Sequence, residues 1–175
     1  MRRLMLLRHA KSDWSRPGQS DHERNLAERG RKAAPLMGRY MVDHDMIPDH
    51  AIVSTATRTR ETWRLVAGSF PRRPPADFED CIYEASPRDI LRAIADAPPS
   101  ARSLLVVGHN PGFHDTANLL VESGDNRIRK ALSDKFPTGA LAVIDLDIED
   151  WAAIRPGIGR LESFITPRAI DAGND

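Results

Sequence analysis

Short runs of consecutive apolar residues constrain the fold of this chain more than any other feature of its sequence. The clearest runs span residues 4–7, 51–53 and 103–107. A continuous apolar pattern of this length is typical of a strand that is buried on both faces of a sheet. Amphipathic segments with helical spacing separate the runs, so the elements follow the order β-α-β-α-β-α-β-α. This order predicts a three-layer α/β/α sandwich around a mainly parallel central sheet.

The predicted helices are recognised from their apolar stripes and their end signals. The first starts at Leu26 and ends before Pro48, and the second follows a turn at residues 54–55. The third begins with Ser86 as its N-cap and Pro87 at its first helical position. The fourth follows the last apolar run and extends through residues 113–121. We expect these helices to connect the strands of the parallel sheet.

Weaker patterns complete the prediction. Residues 81–83 are interpreted as a short extended piece, and the lone Cys81 within it as a small buried apolar residue. The tail contains short extended runs at residues 140–145, 152–155 and 160–164, which we interpret as an edge strand plus a hairpin. No repeat, linker or low-complexity segment interrupts the sequence, so residues 1–175 are assigned to a single domain.

Composition excludes several classes of function. Lys and Arg together number 25, as do Asp and Glu, so a net charge of zero provides no overall field to gather nucleic acid or an anionic membrane. The basic run at residues 127–130 is therefore interpreted as a solvated face. No apolar stretch approaches the roughly 20 residues that span a bilayer, and the first apolar run is too short for a signal peptide. We expect a soluble, cytoplasmic protein without nucleic-acid or membrane partners.

Polar groups of one chemical kind follow three of the predicted strands. In chain order they are Arg8 and His9, then Ser54 with Arg58 and Arg60, and finally Gly108 with His109. Because the carboxyl ends of parallel strands share one edge of a sheet, these side chains should converge in one crevice, where guanidinium groups favour a phosphate. Arg60 lies about 200° around the helix from Arg58, so Arg58 is the preferred ligand. The long loop at residues 10–24 is a further candidate for the site.

Three ordered motifs resemble those of the histidine phosphatase superfamily, which includes the cofactor-dependent phosphoglycerate mutases. Residues 6–10 (Leu-Leu-Arg-His-Ala) are similar to the Arg-His-Gly signature of that superfamily. Residues 54–62 are similar to its Ser-x-x-x-Arg-Ala-x-x-Thr segment, and residues 107–111 to the turn that carries its second histidine. Within the superfamily, the chain looks most like the SixA-type phosphohistidine phosphatases. This resemblance rests on the short length, residues 8–14, the helix start at Arg29-Gly30 and the Pro-Thr-Gly-Ala segment at 137–140. The resemblance implies a phosphoglycerate mutase-like fold.

The resemblance also implies a mechanism, in which a phosphoryl group passes through a covalent phosphohistidine. His9 would be the nucleophile, Arg8 and Arg58 would clamp the phosphate, and His109 would donate a hydrogen bond to the transferred group. Fixed Arg and His groups can stabilise the developing charge, so we expect catalysis without a metal or cofactor. His9 must be neutral to attack, so its other ring nitrogen should donate to a backbone carbonyl.

The proton donor and the rest of the phosphate loop are less clearly marked. Glu84 lies near the position at which mutase-like members carry an acid, although a loop glutamate is ordinarily only solvated. Asp13 is a weaker candidate. Ala10 replaces the signature glycine, and the following loop lacks the asparagine of mutase-like members. Lys11, Ser12 and Ser15 are left as its substitutes, of which Lys11 and Ser12 are the preferred substrate-binding candidates.

The leading functional hypothesis is a phosphatase that removes phosphate from phosphohistidine in a partner protein. The segments between the motifs are short and leave little chain for a lid, so the crevice should admit a protein side chain. A small-molecule phosphomonoesterase with the same pocket is the first alternative, and a non-catalytic phosphate-binding module is the second. A mutase is disfavoured, because no insertion could close over a diphosphorylated intermediate.

Overall fold

A computed structural model describes residues 1–173 and folds them around one mixed sheet. The strands are β1 (Arg2–Arg8), β2 (His50–Ser54), β3 (Ala76–Glu79), β4 (Ser103–Gly108), β5 (Val121–Gly124), β6 (Leu141–Leu146) and β7 (Gly159–Ile165). The helices are α1 (Glu28–Asp43), α2 (Thr57–Ala67), α3 (Pro87–Ala95), α4 (Gly112–Leu120), α5 (Asn126–Asp134) and α6 (Pro167–Gly173). Within this part of the chain, no helix is long and apolar enough to cross a membrane.

The sheet consists of a parallel half and a largely antiparallel half, which meet at β1. Its strand order is β3-β2-β4-β1-β6-β7-β5. The pairs β1–β4, β2–β4 and β2–β3 are parallel, so the prediction that the three apolar runs are strands of one parallel sheet is confirmed, and β4 lies between β1 and β2. β6 is antiparallel to both β1 and β7, whereas β5 is parallel to β7. The carboxyl ends of β1, β2 and β4 therefore lie side by side.

Alternate side chains of the central strands pack into two separate hydrophobic cores, one on each face of the sheet. Leu4 and Leu6 of β1 pack with apolar residues of α3, α4 and α5. Met5 and Leu7 face the other way and pack with residues of α1 and α2. Residues 4–7 are all fully buried, because both faces of β1 are covered by helices. The predicted α/β/α sandwich is confirmed.

Two short segments and one helix end differ from the prediction. Residues 80–82 form a 3-10 turn rather than an extended piece, and the edge strand is the preceding β3. Three of the four residues of β3 are exposed, so this strand has no apolar run for a pattern to detect. Cys81 is exposed rather than buried. Val121, placed at the end of the fourth helix by its apolar spacing, instead begins β5.

The tail also departs from its predicted arrangement. Its first strand, β6, was expected at an edge but is an inner strand paired on both sides. Residues 151–153 form a 3-10 turn rather than an extended run. The turn is fixed by Trp151, which is fully buried and donates a hydrogen bond from Nε1 to the carbonyl of Ala101 at 2.7 Å. Burial of this large side chain, rather than strand pairing, determines the local conformation.

Candidate active site

The ends of β1 and β4 bring two buried histidines together. β1 pairs with β4 in the register Arg8 to Gly108, and the next residue, His9, donates its backbone N–H to the carbonyl of Gly108 at 3.0 Å. His109 directly follows β4, and its ring centroid lies 5.4 Å from that of His9. The exposed fractions of the two residues are only 6% and 7%. The predicted convergence of the two histidines is therefore present in the fold.

The hydrogen bonding of His9 defines its tautomer. Its Nδ1 lies 2.7 Å from the backbone carbonyl oxygen of Ala10, and a carbonyl can only accept, so Nδ1 carries the proton. The other nitrogen, Nε2, is left with its lone pair. Burial lowers the pKa of His9 to about 4, and the positive charges of Arg58 and Arg8 act in the same direction. The ring is therefore neutral near pH 7, as a nucleophile requires.

The backbone around His9 is held from two sides. Ala10 donates its N–H to Oγ1 of Thr62 at 3.1 Å, and Thr62 donates in turn to the carbonyl of Arg58 at 2.7 Å. On the opposite side, the N–H of Gly139 lies 2.9 Å from the carbonyl of His9. Within residues 1–173, the non-glycine residues with positive φ do not include Ala10. Alanine is tolerated in place of the signature glycine because the backbone there needs no left-handed conformation.

His109 is positioned by Ser54 at the end of β2. Its Nε2 lies 2.7 Å from Oγ of Ser54, and the ring also contacts Tyr83 edge-on, with centroids 5.4 Å apart. Burial lowers the pKa of His109 to about 3, with a further contribution from the nearby His9. The sequence places Ser54 among the polar residues at the strand ends and in the turn before the second helix, where a serine is a common N-cap, but it assigns Ser54 no contact with a histidine. The cap of α2 is instead Ala56, and the hydroxyl of Ser54 serves the histidine.

Two guanidinium groups lie beside the histidines. Arg8 is partly buried and donates from Nη1 to the carbonyl of Phe136 at 3.0 Å. Burial lowers the pKa of Arg8, and the positive charge of Arg58 adds to that shift. Arg58 is 7% exposed and donates to Asp21 twice, to its carbonyl at 2.6 Å and to its carboxylate at 3.0 Å. Both arginines therefore approach the same site from different strand ends.

Asp21 and Tyr83 extend this cluster, and sequence reasoning missed both. The hydroxyl of Tyr83 donates to the Asp21 carboxylate at 2.5 Å. This bond and the contact with Arg58 lower the pKa of Asp21 to about 2, while burial and the same carboxylate raise the pKa of Tyr83 to about 12. Asp21 belongs to the loop at residues 10–24, and the unusual length of that loop was the one available signal.

Several buried polar atoms next to the histidines have no partner within residues 1–173. They are Nε of Arg8, Nδ1 of His109 and Oδ1 of Asn110. An unsatisfied buried polar group costs about 1–3 kcal/mol, so such groups are expected to bond to a ligand or to water. With two guanidiniums and two neutral imidazoles present, the cluster suits a phosphate group.

The remaining predicted residues lie outside this hydrogen-bonded cluster. Within the described part of the chain, no side-chain hydrogen bond joins Glu84, Lys11 or Ser12 to either histidine. Glu84 is exposed and follows Tyr83 with a φ of 51°. Lys11 is exposed, while Ser12 is buried and its backbone pairs with that of Leu26. The roles assigned to these residues stay predictions.

Two further expectations concern Arg60 and metal ions. Arg60 lies on the exposed side of α2, where its guanidinium stands 5.2 Å from the ring of Phe78, so it points away from the Arg58 cluster. Within residues 1–173, no group of three or more His, Cys, Asp or Glu side chains is placed to hold a metal ion.

Comparison with known proteins identifies the family. The model of the histidine phosphatase superfamily, branch 1, matches residues 4–90, which include Arg8, His9 and Arg58. A solved structure of a candidate phosphohistidine phosphatase SixA from Agrobacterium tumefaciens is 31% identical, with a TM-score of 0.80 over 95% of this chain and 98% of that one. The chain belongs to the histidine phosphatase superfamily. Membership supports a phosphatase activity.

Other relatives agree with this placement over more than nine-tenths of the chain. A second candidate SixA structure, from Nakamurella multipartitia, is 28% identical, with a TM-score of 0.83 over 95% of this chain and 96% of that one. An uncharacterized protein of Mycobacterium tuberculosis, Rv1276c, is 34% identical over 93% of this chain and all of its own length. The family model stops at residue 90, whereas the structural likeness covers 95% of this chain. His109, the second histidine, therefore lies in a part of the chain that shares the SixA-type fold although the family model does not match it.

Proposed function

We propose that this protein removes phosphate from phosphohistidine in a partner protein and that His9 carries the phosphoryl group in between. The observation that supports this proposal most directly is the state of His9, with Nδ1–H bound to the Ala10 carbonyl and a lone pair on Nε2. The pKa of about 4 keeps that lone pair available at neutral pH. The likeness to candidate phosphohistidine phosphatases at 31% and 28% identity supports the substrate class.

In the first step, Nε2 of His9 attacks the phosphorus of the substrate. A bond forms between His9 and phosphorus, while the bond from phosphorus to the substrate imidazole breaks and its electron pair stays on the leaving nitrogen. Negative charge is spread over the equatorial phosphate oxygens in the transition state. The guanidiniums of Arg8 and Arg58 stabilise that charge, and one fixed donor of this kind is typically worth about 10²–10³ in rate.

His109 is the third donor in this scheme. The weak contact from the N–H of Ala56 to Oγ of Ser54, at 3.4 Å, favours a hydroxyl that donates its own proton to Nε2 of His109. Because the ring is neutral, the proton of His109 then lies on Nδ1, the buried atom that has no hydrogen-bond partner among residues 1–173. Nδ1–H is therefore assigned as the donor to a phosphate oxygen.

In the second step, water attacks the phosphorylated His9. The bond between phosphorus and Nε2 breaks, the electron pair returns to Nε2, and inorganic phosphate leaves with the oxygen and protons of the water. Glu84 is proposed as the proton donor for substrates whose leaving group is a poor one, such as an alkoxide. Asp21 is a poor proton donor, because its pKa of about 2 keeps it ionised.

An activity panel tests the substrate class. The substrates are a phosphohistidine peptide, a phosphoserine peptide, a sugar phosphate and p-nitrophenyl phosphate, compared by kcat/KM with and without a chelator. The proposal expects the highest value for the phosphohistidine peptide and no effect of the chelator. Preference for the sugar phosphate would instead identify a small-molecule phosphomonoesterase. Binding of phosphate without turnover of any substrate would leave a non-catalytic module.

Trapping tests the covalent intermediate. A phosphoramidate on His9 is labile in acid and stable in base, unlike a phosphoserine ester or an acyl phosphate. Label from a phosphodonor should therefore show that stability, and His9→Ala should abolish both trapping and turnover. His109→Ala and Arg58→Ala should keep the nucleophile and lower the rate by about 10²–10³. Base-labile label, or full activity in His9→Ala, would end the proposed mechanism.

A further inference from the structure

A basic concavity lies on the outer side of α2, next to the edge strand β3. Its volume is about 420 Å³, and its lining includes Arg60, Arg64, Arg73 and Phe78, the four residues by which we define the arginine concavity. Arg60 and Arg64 are four positions apart on α2 and so project from the same side of the helix. All four side chains are exposed. The concavity is separate from the histidine cluster, which lies against the buried side of α2.

The positive charge of the arginine concavity is not neutralised within the described part of the chain. No ion pair there involves Arg60, Arg64 or Arg73. The lining also contains one acidic residue, Glu61, whose Oε1 accepts from Asn25 Nδ2 at 3.1 Å and from the N–H of Leu26 at 3.3 Å rather than from an arginine, so three guanidiniums face one carboxylate and an excess of positive charge remains. The guanidiniums are therefore available to carboxylates from outside the protein.

The concavity lies close to the active-site edge of the sheet. β3 pairs with β2 in the register Val53 to Phe78 and Ser54 to Glu79. Ser54 is the residue that holds His109. Phe78 therefore lies on the strand next to that of Ser54, two strands from β4, which His109 follows, and three strands from β1, which His9 follows. It has 45% of its surface exposed. Neighbouring strands lie about 4.8 Å apart, so a macromolecule that covers Phe78 would extend about 14 Å along the sheet edge to place its phosphohistidine at His9.

We propose that the arginine concavity docks an acidic segment of the protein that carries the phosphohistidine, which rests on the function proposed above. The positive charge of the arginines favours a segment rich in carboxylates, and Phe78 provides an apolar contact surface within the concavity. A broad anion such as nucleic acid or a membrane surface fits less well. The opposite side of β3 carries Asp77 and Glu79 in a second, acidic concavity, and the net charge of the chain is zero. The basic area is thus confined to a patch suited to a short segment.

The test uses two phosphohistidine peptides that are identical around the phosphohistidine and differ in one flank. One flank consists of Asp and Glu, and the other of Asn and Gln. The wild-type protein should have a higher kcat/KM for the acidic peptide than for the Asn and Gln peptide. The double variant Arg64→Glu/Arg73→Glu should lower the ratio of these two kcat/KM values by about tenfold, because each exposed ion pair contributes a few-fold. Arg102→Glu, an exposed arginine before β4 at the opposite end of the strands, is the matched control and should keep the wild-type ratio.

A binding measurement separates this inference from the proposed catalytic function. The unphosphorylated acidic peptide should bind at low salt in fluorescence anisotropy and should lose affinity in the double variant and as salt is added. Binding of that peptide without hydrolysis of either phosphopeptide would contradict the proposed function but not the docking surface. Equal kcat/KM values for the two peptides, or an unchanged ratio in the double variant, would overturn the docking surface. Tighter binding of an oligonucleotide or of phosphatidylserine vesicles through the same arginines would overturn its assigned occupant.

Discussion

Two buried hydroxyl groups position the histidine pair. Thr62 acts on His9 through the backbone N–H of Ala10, and Ser54 acts on His109 directly at Nε2. Both hydroxyls are shielded from water, with exposed fractions of 1% and 0%. A hydrogen bond in such surroundings cannot be replaced by solvent when one partner is removed. The geometry of each imidazole therefore depends on a residue that we do not expect to touch the substrate.

The first residue-scale prediction concerns Thr62. Thr62→Val keeps the shape of the side chain but leaves the N–H of Ala10 and the carbonyl of Arg58 without this partner. We expect the free energy of unfolding to fall by about 1–3 kcal/mol and kcat to fall with it, because the backbone that carries His9 is loosened. Urea unfolding and turnover of a phosphohistidine peptide measure the two effects. Thr62→Ser, which retains the hydroxyl, is the control, and equal losses in both variants would contradict the assignment.

The second residue-scale prediction concerns Glu84. If Glu84 donates the proton, Glu84→Gln should lower turnover of p-nitrophenyl phosphate less than turnover of an alkyl phosphate, because the alkoxide is the poorer leaving group. Turnover of phosphohistidine should change least. The comparison of kcat for the three substrates is the measurement. A uniform effect on all of them would remove the acid role of Glu84 and leave the rest of the mechanism intact.

The residues found from the sequence and those missed differ in how their positions arise. Arg8 is the last residue of β1, and His9 and His109 directly follow β1 and β4, so strand prediction alone places them at one edge of the sheet. Asp21 meets Arg58 across 37 residues of sequence, and Tyr83 meets Asp21 across 62. Contacts of this range are set by the path of a loop and a 3-10 turn, which have no periodic pattern that could be detected.

At the scale of elements, α1 packs tightly against the loop that follows His9. A Cβ added to Gly30 would stand 2.2 Å from the backbone carbonyl oxygen of Lys11. The same carbonyl accepts the N–H of Ala27, just before the start of α1, at 2.9 Å. The absent side chain of Gly30 thus allows the helix to approach the loop closely, and the loop in turn fixes the exit of the chain from the histidine site.

The element-scale prediction follows from this close approach. Gly30→Ala forces the backbone of Lys11 or the start of α1 to move, and overpacking of this kind typically costs about 1–3 kcal/mol. Because Lys11 is two residues from His9, kcat should fall as well. Thermal unfolding and phosphohistidine turnover are the measurements. Gly68→Ala is the control at the end of α2, where the nearest atom to an added Cβ is 3.3 Å away. A Gly30→Ala variant as stable and active as the control would contradict the packing argument.

Elements were predictable where burial leaves a continuous pattern. β1 and β4 are fully covered by helices and read as apolar runs, and α3 was predicted correctly from Ser86 and Pro87. β3 was missed because an exposed edge strand needs no apolar residues. The extended piece was instead predicted at the residues that form the following 3-10 turn. The pattern of the tail could not distinguish an edge strand from β6, since the pairing of β6 with β1 is a long-range contact.

For the whole molecule, the layer architecture follows from element order, but strand order does not. Alternation of strands and helices requires helices on both faces of a parallel sheet, and the two cores on opposite sides of β1 agree with that requirement. The insertion of antiparallel β6 between β1 and β7 satisfies the second edge of β1. β6 thus joins the parallel half of the sheet to the largely antiparallel half, and the junction between Arg8 and His9 lies where the two halves meet. There Arg8 donates hydrogen bonds to the carbonyls of Phe136 and Ala140.

The whole-molecule prediction concerns stability in acid. The folded-state pKa values of His9 and His109 are about 4 and about 3, below the ordinary value of 6.5 that applies to the unfolded chain. Below pH 6.5 the unfolded chain therefore binds more protons than the folded chain, so the stability associated with these two neutral rings is complete above pH 6.5. It is lost as pH falls toward 4 and 3, with a limiting slope of about 1.4 kcal/mol per pH unit for each histidine. The ionised Asp21, with a pKa of about 2, adds a loss in the same direction at lower pH.

Urea unfolding between pH 7.5 and pH 4.5 measures this dependence. The wild-type free energy of unfolding should be nearly constant at the upper end and fall increasingly steeply below pH 6.5. His9→Ala removes one of the two buried imidazoles. The slope of its free energy of unfolding against pH should therefore be smaller by up to about 1.4 kcal/mol per pH unit, the contribution of one proton, whatever the stability of the variant at pH 7.5. The slope rather than the absolute stability is therefore the decisive quantity, because it isolates proton binding from the packing lost with the ring. Parallel curves for the two proteins would mean that His9 titrates alike in the folded and unfolded chains, and its neutrality at the active site would then need another cause.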